Sequence, residues 1–76
     1  MMDIRELDLR VTQLLEDHAE KLGDSVLRDA RNELHGGEHG LVIGRLLNEV
    51  QMGKLIVTAE QGQEIKRLAR EAGIEI

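Results

Sequence analysis

The sequence contains no cysteine, no proline and no phenylalanine, tryptophan or tyrosine. Without cysteine there is no disulfide framework, no thiol nucleophile and no cysteine-type zinc site, so a cytoplasmic location is expected. Without aromatic rings there is no stacking platform for single-stranded nucleic acid, no cage for an organic cation and no aromatic belt for a membrane. The longest apolar runs, residues 40–44 and 55–57, are far shorter than a bilayer span. Charged residues within the first 15 positions leave no apolar signal core.

The chain has 76 residues and is predicted to form a single helical domain over residues 1–76. A domain of this size buries only about 60% of the surface of its unfolded chain, which argues against a large enzyme pocket. The net charge is −5, and it is concentrated in residues 1–53, which carry 6 basic and 11 acidic side chains. Such a surface repels nucleic-acid phosphates and attracts basic partners. The alternative interpretation is ordinary solubility charge.

Apolar residues recur at steps of three and four, which is typical of amphipathic helices. A first helix is predicted over residues 3–22, with Gly23 as a left-handed C-terminal cap. A second helix begins at Asp24 or Ser25, either of which suits an N-cap, and ends at the adjacent glycines of residues 36–37. The predicted inward-facing residues of these two helices are Ile4, Leu7, Val11, Leu14, Leu15, His18, Leu22, Val26 or Leu27, Ala30 and Leu34.

A third helix is predicted to start near Glu38, whose carboxylate suits the positive end of the helix dipole, and to end at Gly53. Its apolar stripe is wider than one face, so this helix is expected to be the central one; the stripe comprises Leu41, Val42, Ile43, Leu46, Leu47 and Val50. Residues 54–57 are predicted to form a short extended connector packed on the core. Thr58 and Gln61 are predicted to form a capping box for a last helix over residues 59–72, which Gly73 ends. The pattern predicts an all-α fold, a compact four-helix antiparallel bundle.

Residues that could carry chemistry are few. His35 and His39 are four apart beside Glu38, but residues 36–37 break the helix that would place both on one face, so they are interpreted as solvated loop histidines. His18 is interpreted as a histidine at the edge of the core. Ser25 is the only serine and sits at a cap position, where a nucleophile would lack an adjacent base. The sequence therefore predicts no enzyme activity, no metal and no cofactor.

The last helix carries a small basic patch of Lys66, Arg67 and Arg70. This patch leaves open a DNA-binding regulator or antitoxin, although six to ten phosphate contacts typify DNA binders. Acidic residues on the same helix favour intrahelical ion pairs instead, such as Glu64–Arg67 and Arg67–Glu71. The prediction is that the protein binds neither nucleic acid nor a membrane.

Two stretches in the second half of the chain form a recognisable pattern: residues 37–42 are Gly-Glu-His-Gly-Leu-Val, and residues 46–50 are Leu-Leu-Asn-Glu-Val. With them, residues 37–74 resemble the MafI family of bacterial immunity proteins. The first stretch is similar to the family's Gly-Glu-aromatic-Gly-Leu-Ala stretch, and the second to its Leu-Cys-Asp-Gln-Leu segment. Residues 56–58 resemble the family's entry to the last helix, whose apolar positions and stop are matched by Ile65, Leu68 and residues 73–74. His39, Asn48 and Val57 stand where the family has an aromatic residue, an aspartate and a proline.

The resemblance implies a protein that binds and neutralises the C-terminal domain of a cognate polymorphic toxin, often a nuclease, inside the producing cell. The expected binding surface is acidic, because a nuclease site built for phosphates is commonly basic. The candidate contacts are Glu16, Asp17, Glu20, Asp24, Glu38 and Glu49. A rival interpretation is a self-associating module, a homodimer formed by the third helix and residues 55–57.

Overall fold

The computed structural model describes residues 2–74, which form four α-helices joined by short connections. The helices are α1 (Ile4–Asp17), α2 (Asp24–His35), α3 (His39–Gln51) and α4 (Ala59–Glu71), with a 3₁₀ turn at Ala19–Lys21. No strand occurs within residues 2–74, and the predicted all-α class is confirmed. The predicted domain range of 1–76 also includes Met1, Glu75 and Ile76, which lie outside the described residues.

Helix α4 runs antiparallel to both α1 and α3, as contacts near the helix ends indicate. The Met2 backbone N–H lies 2.8 Å from Glu71 Oε1, while Arg10, further along α1, contacts Glu64, which lies earlier in α4. Ile74, just beyond α4, lies beside Gly40 in the first turn of α3. The bundle therefore has two ends. We call them the double-glycine end (residues 2–4, 36–38 and 71–74) and the connector end (residues 18–23 and 52–58).

The core is entirely aliphatic apart from two histidines. Helix α3 contacts each of the other three helices, as expected for a central element, and α1 does the same. Each of these two helices buries four side chains, so they share the centre of the molecule. The buried apolar residues are Leu7, Val11, Leu14, Leu15, Leu22, Ala30, Val42, Ile43, Leu46, Leu55, Ile65, Leu68 and Ala69.

Local capping signals in the second half of the chain are confirmed. The Gln61 backbone N–H donates to Thr58 Oγ1 at 3.1 Å, and the Thr58 N–H donates to Gln61 Oε1 at 2.9 Å, which completes the capping box of α4. Gly73 adopts a positive φ of 82° at the end of that helix. The Ile74 N–H then reaches back to the Ala69 carbonyl at 2.9 Å, so Ile74 packs against the core.

The predicted end of the first helix is wrong. Gly23 has φ −66° and ψ 152°, which is extended backbone rather than a left-handed cap, and it serves as the N-cap of α2. Helix α1 stops at Asp17 because the Nδ1–H of the His18 ring donates a hydrogen bond to the Leu14 carbonyl oxygen at 2.9 Å. The His18 backbone N–H bonds instead to Leu15, three residues back, and the chain tightens into the 3₁₀ turn.

Two residues predicted to face the core are exposed. Ile4 is 73% exposed because it is the first residue of α1 and no preceding turn covers it. Leu41 is 53% exposed, since the apolar stripe of α3 is wider than the surface that the other helices cover. The connector keeps its predicted role through Leu55, which is buried, although its neighbour Ile56 points to solvent.

Candidate functional site

Glu16, the first of the predicted partner contacts, is already bound within the molecule. Arg31 on α2 donates two hydrogen bonds to it, from Nε to Oε2 at 3.0 Å and from Nη2 to Oε1 at 2.7 Å. The hydrogen bond from Arg31 is the main reason that the pKa of Glu16 is lowered, with the charge of Arg31 acting in the same direction and burial opposing both. Glu16 therefore ties α1 to α2 and contributes less charge to the surface than its sequence position indicates.

Two further arginines bridge other helix pairs. Arg45 on α3 donates two hydrogen bonds of 2.7 and 2.8 Å to Glu33 on α2, and these bonds raise the pKa of Arg45. Arg10 on α1 contacts Glu64 on α4 at 3.3 Å. Sequence reasoning missed these ties, since the partners are 12 and 54 residues apart and their meeting depends on how the helices pack. These arginine–carboxylate ties are structural.

Asp17, Glu20 and Asp24 form what we call the acidic corner, at the connector end of the bundle. Asp17 is the last residue of α1, Glu20 lies in the 3₁₀ turn and Asp24 is the first residue of α2. All three residues are exposed. Asp17 accepts a hydrogen bond from the Gln13 amide at 2.8 Å. Within residues 2–74, no lysine or arginine pairs with any of the three, so the corner retains its negative charge.

The other two candidate carboxylates lie apart from each other. Glu49 is half-buried near the end of α3, toward the connector end, the same end as the acidic corner. Glu38 immediately precedes α3 at the double-glycine end, and its side chain makes no capping hydrogen bond. The six predicted contacts therefore do not form one surface. Five lie on the half of the bundle toward the connector end, one of them neutralised by Arg31, and Glu38 lies at the opposite end.

Two of the three histidines differ from their predicted environments. His39 is not a solvated loop residue: it begins α3, is only 8% exposed, and its Nε2 lies 2.8 Å from Asp8 Oδ1 on α1. His35 is exposed, as expected. His18 is more deeply buried than an edge position implies, at 2% exposure, and its Nε2 has no hydrogen-bond partner among the described residues. No group of three histidine, aspartate or glutamate side chains in residues 2–74 is placed to hold a metal ion.

The basic residues of α4 remain exposed. Lys66, Arg67 and Arg70 all face solvent. The predicted pairs Glu64–Arg67 and Arg67–Glu71 are not formed within the described part of the chain. Glu64 forms an ion pair with Arg10 instead, and Glu71 accepts a hydrogen bond from the Met2 backbone N–H.

Across residues 2–74, none of the helices has both the length and the apolar content needed to cross a bilayer. Comparison of the chain with protein-family models, with curated proteins and with solved structures found no match.

Proposed function

We propose that this protein is a non-enzymatic immunity protein that binds the C-terminal domain of a cognate bacterial toxin, a basic nuclease, and neutralises it inside the producing cell. The observation that carries the proposal is the acidic corner: Asp17, Glu20 and Asp24 are exposed together at one end of the bundle, and no arginine of the described chain neutralises them. The resemblance of residues 37–74 to the MafI family supports the same function.

The physical basis is competition for a cationic surface. A nuclease must attract phosphates, so its substrate surface carries lysines and arginines. A rigid bundle with net charge −5 is drawn to that surface over a Debye length of about 8–10 Å, before the two proteins touch. Because this chain has no aromatic residue, it would supply carboxylates and aliphatic contacts, while the toxin supplies any aromatic hot spots.

Co-expression tests the proposal directly. The protein encoded immediately upstream is expressed alone and together with this chain, and cell survival and co-purification are measured. We expect the upstream protein to kill cells when alone and to form a stable, harmless complex with this chain. A harmless upstream protein, or a toxic one that neither binds this chain nor is neutralised by it, would contradict the proposal.

A second candidate function is DNA binding, favoured by the exposure of Lys66, Arg67 and Arg70 without the expected intrahelical partners. A gel shift at low salt tests this alternative with the wild type and with a variant in which all three residues are glutamine. Binding that the triple variant loses would favour a regulator or antitoxin. If the protein is an immunity protein, neither the wild type nor the triple variant should shift the DNA.

A further inference from the structure

A surface groove of about 370 Å³ lies at the double-glycine end of the bundle. Its apolar lining includes Met2, Ile4, Gly40 and Ala72, from the start of α1, the first turn of α3 and the end of α4. Glu38 and Glu71 also line it, and we call it the carboxylate groove. Residues 37–40, which belong to the segment that resembles the MafI family, form part of its wall.

The charge of the carboxylate groove distinguishes it from three other surface grooves in residues 2–74. The groove along α4 contains Arg67, the groove between α1 and α2 contains Arg31, and the groove between α1 and α4 contains Arg10. Each of these already holds a cation beside its carboxylates. The carboxylate groove has no lysine or arginine in its lining. Its lining includes His39, whose Nε2 lies 2.8 Å from Asp8 Oδ1 on α1. The groove therefore combines aliphatic side chains with two carboxylates that no lysine or arginine of the lining neutralises.

Each of the two carboxylates has at least one oxygen atom that accepts no hydrogen bond from the described residues. The side chain of Glu38 makes no hydrogen bond or ion pair within the described residues and does not cap α3. Glu71 uses Oε1 to accept the Met2 N–H at 2.8 Å, and no described group bonds its second oxygen. The N-termini of α1 and α3 contribute only about half a positive charge each. The two carboxylates outweigh them, so the groove favours a cation.

We propose that the carboxylate groove receives an arginine side chain of a basic protein partner. The aliphatic stem of the arginine lies along Ile4 and Ala72, and the guanidinium contacts Glu38 at the rim, with Glu71 as the second carboxylate. Arginine fits this surface better than lysine does, because the guanidinium is more weakly hydrated and presents paired N–H donors to a carboxylate. The inference rests on the proposed function for the identity of the partner, a cationic toxin domain.

A small probe tests the groove without the toxin. Nα-acetyl-arginine N-methylamide is titrated into the ¹⁵N-labelled protein and the amide shifts are recorded, with the norleucine and lysine derivatives as matched probes. We expect saturable shifts of residues 37–40 and of Ala72 with the arginine probe, weaker binding of lysine and none of norleucine. The variant Glu38→Gln should weaken arginine binding about tenfold, as expected for loss of a charged hydrogen bond. Glu60→Gln, at the opposite end of α4, should leave it unchanged.

Shifts at other sites only, or equal binding of arginine and norleucine, would overturn the proposal. So would equal arginine affinity of the wild type and a Glu38→Gln/Glu71→Gln double variant that keeps the wild-type melting temperature. This result is independent of the co-expression experiment: saturable arginine binding in the groove together with a harmless upstream protein would refute the toxin partner and retain the groove. Conversely, neutralisation of a toxin whose affinity is the same for the double variant would retain the function and refute the groove.

Discussion

Arg31 on α2 clamps Glu16 on α1 through two parallel hydrogen bonds of 3.0 and 2.7 Å. Glu16 immediately precedes Asp17, the first residue of the acidic corner, close to where the chain reverses from α1 into α2. The planar guanidinium fixes both oxygens of the carboxylate at once, which restrains the relative position of the two helices. The Glu16–Arg31 pair thus holds α1 and α2 together beside the acidic corner. The carboxylates of the corner itself remain available to a partner.

The Glu16–Arg31 pair predicts a pH dependence of stability. The pKa of Glu16 is lowered in the folded protein because Arg31 hydrogen-bonds the ionised form. Because the pKa of Glu16 is lower in the folded state, its ionised form stabilises the protein at pH values above the unfolded carboxyl pKa of about 4.3. This stabilisation is lost as the pH falls through the pKa of the folded state. We expect Glu16→Gln to lose less stability than the wild type between about pH 6 and about pH 3. Urea unfolding across this range measures the difference.

Glu20→Gln is the matched control, because Glu20 is exposed and has no basic partner among the described residues. Its pH profile should follow that of the wild type. A Glu16→Gln profile that also follows the wild type would mean that Arg31 does not bind Glu16 in solution.

His18 is predicted to be a structural residue whose removal is costly. Its ring is buried, and Nδ1 satisfies the Leu14 carbonyl at the point where α1 ends. His18→Ala leaves both a cavity and a buried carbonyl without its partner, so we expect a loss of about 2–4 kcal/mol of unfolding free energy. Chemical denaturation measures it. The exposed His35 offers the control: His35→Ala should change stability by less than about 0.5 kcal/mol, and an equal effect of both substitutions would contradict the assigned role.

Two glycines in and after α3 are predicted to respond in opposite ways to alanine. A methyl group added at Gly44, within the helix, would have no atom within 4 Å apart from the neighbouring backbone. Gly44→Ala should therefore stabilise the protein by up to about 1 kcal/mol. Gly53 has a φ of 74° where the helix ends, so Gly53→Ala should cost about 1–2 kcal/mol. Thermal unfolding compares the two variants, and a stabilising effect at Gly53 would refute the left-handed turn.

The sequence was sufficient where structure depends on neighbours a few residues apart. The capping box of Thr58 and Gln61 spans three positions, and the turn at Gly73 is specified by one residue, so both were predicted correctly. The end of α1 was not, because the side chain of His18 competes for a carbonyl that the periodic pattern assigns to the helix. An apolar stripe indicates which residues face inward, but it does not indicate that a histidine within it will end the helix.

The candidate site was less predictable because it depends on how helices meet. Glu16 and Arg31 are 15 residues apart, and Asp8 and His39 are 31 apart. Periodicity places each on a face of its helix without showing which faces come together. Glu38 is the opposite case: a carboxylate just before a helix is a usual cap or dipole partner, yet its side chain makes no capping bond and instead lines the carboxylate groove.

Charge reversal at the acidic corner is predicted to slow association with the cognate toxin domain. The variant Glu20→Lys/Asp24→Lys changes the net charge from −5 to −1 and replaces exposed carboxylates without disturbing the Glu16–Arg31 pair. Because electrostatic steering accelerates association by about tenfold or more, we expect the association rate constant at low salt to fall by about tenfold and its salt dependence to become shallower. Stopped-flow mixing at several salt concentrations measures both quantities.

The matched control separates the corner from net charge. The single variants Glu20→Lys, at the corner, and Glu6→Lys both change the net charge from −5 to −3. Glu6 is exposed in the first turn of α1, toward the double-glycine end and about 16 Å along the helix from Asp17. If steering acts through the corner, Glu6→Lys should retain most of the wild-type association rate, since exposed charges beyond a Debye length are screened. Equal slowing by both variants would assign the attraction to net charge alone, and no slowing by either would remove the acidic surface from the binding mechanism.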